Sequence, residues 1–327
     1  MFFQGKKWRK VKDKVIKLLN NLDLLEGKKI IVGISGGQDS VLLLAVLLSL
    51  EKKYKFEFFP IHVHHHCSKE GDLYAKIAVL SSKRLGKECK IVHIEKNIPR
   101  SNVENWLREE RYRLLEKCRT KIRADFIAVA HHSDDQSETI LSRIFRGTGL
   151  WGLQGMKFQR NHIIRPLLNC SKKEIHELIL TTDLPYHEDK LNYTGKYQRN
   201  RIRNVLIPLI ERDFDPQISQ HLFNLAIISQ EYYGWILSVQ EDFLKQINTD
   251  LNNNRASFDI VSWKSLSAFW RKEILRILIN KLDKKFEVDF DSLERVDEFL
   301  VKNGRGEYVL KNVKIKVDNK RIVKISK

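Results

Sequence analysis

The stretch from Ile30 to Leu50 constrains this chain more than any other. Ile30-Ile31-Val32-Gly33-Ile34 reads as a buried strand, Val41 to Leu50 as an apolar helix, and Ser35-Gly36-Gly37-Gln38-Asp39-Ser40 as the turn between them. Two adjacent glycines permit positive φ and let a ligand come close with no Cβ in the way. Amides in such a turn and at the helix start point one way, with the helix dipole behind them, which makes a phosphate site. Ser35 and Ser40 add hydroxyl donors. Asp39 places a carboxylate in a loop built for anions, an arrangement tolerated where a divalent cation such as Mg2+ stands between acid and phosphate. An ordinary capped turn would use the same residues. A Walker loop is excluded, since no Gly-x-x-x-x-Gly-Lys-Ser/Thr occurs.

Around this stretch, strands and helices alternate. Strands are expected at Phe56 to Val63, Ile91 to Ile94 and Phe126 to Ala130, and helices at residues 8–22, Tyr74 to Leu85, Val103 to Cys118 and Asp134 to Phe145. Such alternation implies a doubly wound parallel sheet, an α/β fold. Its ligands bind at the carboxyl ends of the strands, so the loops after Ile34, Val63 and Ala130 should meet at one cleft. From about 215 the pattern is helical, with Tyr232, Tyr233 and Trp235 expected in a core and further helices near Val261 to Leu282 and Phe290 to Val301. Val313, Ile315 and Val317 alternate with lysines, turn at Asp318-Asn319 and resume with Ile322, Val323 and Ile325, a hairpin with one basic face. Two domains are expected, residues 1–210 and a mainly helical 211–327.

The net charge of +18 makes a polyanion the natural partner. A lysine-rich composition inherited from an AT-rich genome would also produce it, but the excess clusters at 6–17 and 302–327. No run of about 18 apolar residues spans a membrane, and the start lacks the apolar core of a signal peptide. Cysteines 67, 89, 118 and 170 form no C-x-x-C pair, which favours a reducing cytoplasm, or an organelle stroma, over a disulfide-bonded setting.

Three further groups carry chemistry. His62-Val63-His64-His65-His66-Cys67 ends the second strand, and with no acidic or cysteine partner at ligand spacing its histidines read as substrate-facing or satisfied rather than as zinc ligands. Glu104, Arg108, Arg111 and Tyr112 share a helix face, either as an ion-paired surface or with an arginine set against phosphate charge. His131-His132-Ser133-Asp134-Asp135-Gln136-Ser137-Glu138-Thr139 crowds histidines and acids at the fourth strand's end beyond what a helix cap needs. Such acids suit magnesium or a cationic amine. A glycine-rich segment, Arg146 to Met156, follows, and Arg199 to Arg203 reads as a basic helix start.

Ser-Gly-Gly-x-Asp-Ser resembles the pyrophosphate loop of the N-type ATP pyrophosphatases. His-His-x-Asp-Asp-Gln-x-Glu-Thr, then Arg-Gly-Thr-Gly-Leu-x-Gly-Leu-x-Gly-Met, Arg165-Pro166-Leu167-Leu168, Asp189-Lys190-Leu191-Asn192, Arg199-Asn200-Arg201-Ile202-Arg203 and Pro208 resemble the tRNA(Ile)-lysidine synthetases, over about residues 30–210. The resemblance implies a shorter form without an extra C-terminal domain, and ligation of L-lysine to C2 of the wobble cytidine of tRNA(Ile) with a CAU anticodon, using ATP and Mg2+ through an adenylated cytidine. It further implies ATP held by Ser35, Gly36, Gly37, Gln38, Asp39, Ser40 and His131. Asp39, Arg111, Asp135 and Glu138 would serve catalysis, Asp39 and Asp135 the metal, and Arg146, Arg199 and Arg203 the tRNA. A homodimer is a further expectation. A tRNA thiolase of the same fold, or a non-catalytic RNA-binding protein, would share much of this pattern.

Overall fold

The computed structural model describes residues 4–20, 26–66, 70–96, 98–99, 101, 103–187, 198–252, 254–283, 288–302, 306–318 and 321–326, without the side chain of Glu104. Cys67, the Asp189 to Asn192 motif, Leu22 and the turn residue Asn319 lie outside the described residues. The chain divides into two compact units: Met1–Ser142 with Gly155–Ala226, and Arg143–Gln154 with Ile227–Lys327.

The first unit opens with α1 (Lys6–Asn20), then β1 (Lys29–Gly33), α2 (Gln38–Tyr54), β2 (Glu57–His64), α3 (Gly71–Arg84), β3 (Lys90–His93), α4 (Val103–Ile122), β4 (Phe126–Ala128) and α5 (Ser133–Ile144). The one-turn α6 (Leu150–Leu153) belongs to the second unit; β5 (Gln159–Arg160), β6 (Ile163–Ile164), α7 (Lys172–Ile179), α8 (Gln198–Arg201), a π-helical turn at Ile202–Leu206 and α9 (Ile207–Asp213) complete the first. Strand order is β3-β2-β1-β4-β6-β5, parallel except for the β5–β6 pair. The expected doubly wound sheet is therefore present, with a short antiparallel edge that two-residue strands left invisible in the sequence. Order reverses between β1 and β4, the switch point at which such sheets bind ligands.

Both faces of the sheet are covered, which is why its strands are apolar throughout. Ile30 and Val32 face a core with α1, α2 and α7, while Ile31 faces Leu115 and Cys118 of α4. Helix α2 is buried on nearly every side from Val41 to Leu47, and each of its fully buried leucines contributes roughly 1.5–3 kcal/mol. Helix α1 buries Trp8, Val11, Val15, Leu18 and Leu19. Its Lys10 and Lys14 pair with Glu174 and its Lys7 with Glu177, so part of the N-terminal basic excess is matched by α7.

The division between units falls within α10 (Ile218–Gln246). Beyond it come β7 (Asp250–Leu251), β8 (Arg255–Asp259), α11 (Ile260–Lys264), α12 (Ala268–Leu282), α13 (Phe290–Lys302), β9 (Gly306–Leu310), β10 (Val313–Val317) and β11 (Ile322–Ser326). The expected hairpin is β10–β11, with Ile315 opposite Ile325, and it forms part of a five-stranded antiparallel sheet, β7-β8-β11-β10-β9. Val313, Ile315, Val317, Val323 and Ile325 join a core with Trp263, Leu275 and Leu293, while Lys314, Lys316 and Lys324 stay exposed. One expectation fails: of Tyr232, Tyr233 and Trp235 only Tyr233 is buried, whereas Tyr232 and Trp235 are 60% and 58% exposed. A single helix has one inward stripe, and consecutive positions cannot share it. No described helix is long and apolar enough to cross a membrane.

Candidate active site

A cleft of about 550 Å³ opens in the first unit where the loops after β1, β2 and β4 converge. Ser35, Gly37, Asp39 and Ser40 line it together with Arg111, His131, Asp135, Arg199 and Arg203. The amide-rich bend and the acidic strand end thus share one pocket. Gly36, Gln38, Glu138 and Arg146 are not among its lining residues.

The bend is built by its own hydroxyls. Ser40 Oγ accepts from Ser35 N at 3.1 Å and donates to Gly37 O at 2.9 Å, while Gly37 N donates to Ser35 Oγ at 3.2 Å. Gly36 has φ +87°, and a Cβ there would stand 2.7 Å from Tyr74 O, so only glycine fits. Gly37 caps α2 without a side-chain acceptor, which leaves first-turn amides to a ligand anion. His187 N donates to Gly36 O at 2.9 Å, and its ring lies against Tyr74. Gln38 turns away, its Oε1 3.0 Å from His176 Nδ1.

Across the cleft, β4 ends in two histidines of opposite character. His131 is held neutral: burial, aided by Arg165, Arg108 and Arg199 against the pull of Asp135, lowers it to about 3, and its buried Nδ1 has no hydrogen-bond partner among the described residues. Burial would also lower His132, but Asp135, Asp134 and Asp39 together raise it above the ordinary value. Asp134 caps locally, its Oδ2 accepting from Ser133 Oγ and from Lys172 N at 2.9 Å.

Asp135 and Glu138 form a tight lattice with two arginines. Asp135 Oδ1 accepts from Arg199 Nη2 at 2.8 Å and Arg203 Nη2 at 2.9 Å, and its Oδ2 accepts from His132 N at 3.1 Å. Glu138 Oε2 accepts from Arg199 Nε at 2.6 Å, and its Oε1 from Arg203 Nε. Burial would raise Asp135, but His132, Arg199, His131 and Arg203 hold it well below the usual carboxylate range.

This geometry bears on several of the expected site residues. Asp135 does not fit a magnesium ligand, because both oxygens already receive donors amid positive charge. Glu138, 1% exposed, is enclosed by its arginines and offers no free carboxylate to an amine or metal. Arg199 and Arg203 cross the acidic pair at the cleft wall, each about one-third exposed. Arg146 lies exposed in the second unit.

Arg111 is half-buried in the cleft, and among the described residues it has no carboxylate partner. Burial, with Arg108 and Arg199 nearby, pushes its guanidinium below the usual value although Tyr112 opposes the shift. A desolvated cation without an anion is a place for one. Asp39 keeps both oxygens on Lys172 Nζ, at 2.6 and 2.9 Å. Lys172, His187 and Tyr74 escaped the sequence reading: each enters from a distant segment with no motif around it. His62 is a satisfied buried histidine, its Nδ1 2.9 Å from Ile34 O.

This fold and cleft define a PP-loop protein of the ATP-utilising kind, and the sequence model of the PP-loop domain matches residues 8–210. The tRNA(Ile)-lysidine synthase of Petrotoga mobilis is 31% identical over 288 residues, covering 86% of each chain. That of Caldanaerobacter subterraneus subsp. tengcongensis is 32% identical over 276 residues, 81% of this chain and 58% of the relative. The chain belongs to the tRNA(Ile)-lysidine synthase family of PP-loop proteins. It spans about half the length of several of these relatives, 48% for that of Clostridioides difficile. Among solved structures, the U34-tRNA thiolase NcsA from Methanococcus maripaludis matches with a TM-score of 0.60 at 21% identity, over 68% of this chain and 79% of its own, a likeness of fold.

Proposed function

We propose that this chain ligates lysine to the wobble cytidine of tRNA(Ile) with a CAU anticodon, using ATP. The C2 oxygen of the cytidine attacks the α-phosphate, pyrophosphate leaves, and the ε-amine of L-lysine displaces AMP to give lysidine. The reading rests on the single cleft shared by the Ser35–Ser40 bend and the His131–Asp135 strand end, and on the relatives' names.

The bend's amides and hydroxyls hold the leaving pyrophosphate. Arg111 offsets charge at the transferring phosphorus, where a preorganised cation is worth most. His131 offers its Nδ1, unpaired among the described residues, to the nucleotide. Asp39 fits Mg2+, which is ordinarily held by one or two carboxylates plus phosphate oxygens; bound, the ion would neutralise the departing pyrophosphate. Lys172 supplies the countercharge to Asp39 otherwise. Asp135 and Glu138 together position Arg199 and Arg203 along the cleft wall, and desolvation within the cleft favours the neutral, nucleophilic form of the lysine amine. Arg146 and the lysine face of β10–β11 carry tRNA phosphates.

The test is incubation of purified protein with ATP, labelled lysine and either tRNA(Ile) or methionine tRNA, both bearing CAU. Label in the first alone, with one AMP per lysine, supports the reading. Label in neither refutes it, and equal label in both overturns the substrate assignment.

A further inference from the structure

The histidine run after β2 does not end at the cleft. His64 and His93 are partners across the parallel β2–β3 pair, so their side chains rise from the same face at adjacent strand ends. His66 then adopts φ +53°, a left-handed conformation that a non-glycine residue takes at a cost of roughly 1–2 kcal/mol. This turn brings its ring back over the pair, with centroids 4.1 Å from His64 and 5.0 Å from His93. His66 Nε2 ends 2.8 Å from His93 Nδ1, and one ligand nitrogen from each of His64, His66 and His93 lies within 4.8 Å of the others.

We propose that His64, His66 and His93 form a site for one borderline divalent transition ion of the zinc class, separate from the magnesium of the ATP reaction. Imidazole is the preferred ligand for such ions, and three side chains plus a water complete a tetrahedral shell. Nitrogens around a tetrahedral zinc stand about 3.3 Å apart, and with one pair here at 2.8 Å and all three within 4.8 Å, small ring rotations suffice. A supporting partner is in place. Asp72 Oδ1 stands 3.0 Å from His64 Nε2, and His64 Nδ1 accepts from His66 N at 3.2 Å. Asp72 thereby fixes the proton on Nε2 and puts the lone pair on Nδ1, where a metal would replace the His66 N–H, the carboxylate–histidine–metal arrangement. Spacing along the chain could not reveal this set, because one ligand comes from β3 and its support from α3. The ion would tie β2 to β3 and fix the segment that presents His65 to the cleft, with Gly71 between His64 and the cavity.

The test uses the full untagged chain, stripped with chelator and titrated with Co2+ as a spectroscopic probe and with Zn2+ against a chromophoric chelator. The expected result is one equivalent of Zn2+ and the intense visible bands of tetrahedral Co2+. His66→Asn with His93→Gln, both at exposed positions, should weaken binding by at least 100-fold, and Asp72→Asn by about tenfold, the usual effect of losing a supporting carboxylate. His221→Gln, remote in sequence and outside the cluster, should change nothing. Circular dichroism on each variant reports the fold. Absence of tetrahedral Co2+ bands, or equal affinity in the His66/His93 variant, would overturn the site.

Discussion

Glu138→Gln isolates the arginine lattice that shapes the cleft wall. Glu138 is 1% exposed and accepts from Nε of both Arg199 and Arg203. Glutamine keeps the shape, but it loses the charge and turns an amide N–H2 toward a guanidinium. Removing one member of a buried pair costs about 3–5 kcal/mol through the charges left behind. Both arginines are about one-third exposed and keep Asp135 Oδ1, which puts the expected loss near the lower bound. For a unit of this size each kcal/mol shifts Tm by roughly 2–4 °C, so calorimetry should show a fall of about 6–12 °C. Adding Arg203→Met should cost less than the sum of the two single changes, since the partners act together. A fall under about 2 °C, or simple additivity, would refute the lattice as the cleft's structural support.

Three other outcomes follow from the same geometry. Gly36→Ala forces a Cβ against Tyr74 O at positive φ; the displaced bend should lower ATP–pyrophosphate exchange about 100-fold with the fold retained by circular dichroism, and near-normal exchange would contradict the phosphate role. His131 sits near 3 when folded against 6.5 unfolded, so between those values the unfolded state binds the extra proton and stability rises with pH; His131→Gln should flatten the Tm profile from pH 4 to 6.5, and an unchanged slope would contradict its buried neutral state. Changing all four cysteines to alanine should leave lysine transfer intact, because Cys118 and Cys170 are buried and Cys89 does not line the cleft; loss of transfer in a folded protein would favour a sulfur-carrying reaction.

The sequence was informative where periodicity and local chemistry agree. The run through Ile30–Leu50 carried strand, glycine bend and buried helix in one reading, and the alternation after it implied the parallel sheet. What remained hidden depended on side chains meeting from afar. Nothing around Arg199 and Arg203 indicates that they cross Asp135 and Glu138. Lys172 reaches Asp39 from α7, and His187 reaches Gly36 from a segment without periodicity. Tyr232 and Trp235 misled because an aromatic cluster looks like core in one dimension, while a helix can turn only one of those rings inward. Adjacent His131 and His132 have the same residue type and opposite charge preferences, a difference that burial and neighbouring carboxylates create.

The central claim is that one cleft holds ATP between the amide bend and the acidic strand end. The direct measurement is a crystal structure with a non-hydrolysable ATP analogue. It should place the β- and γ-phosphates on the amides of residues 36–40 and the α-phosphate within reach of Arg111, with the nucleotide against His131. An analogue bound outside this cleft, or with its phosphates away from the 36–40 bend, would contradict the account.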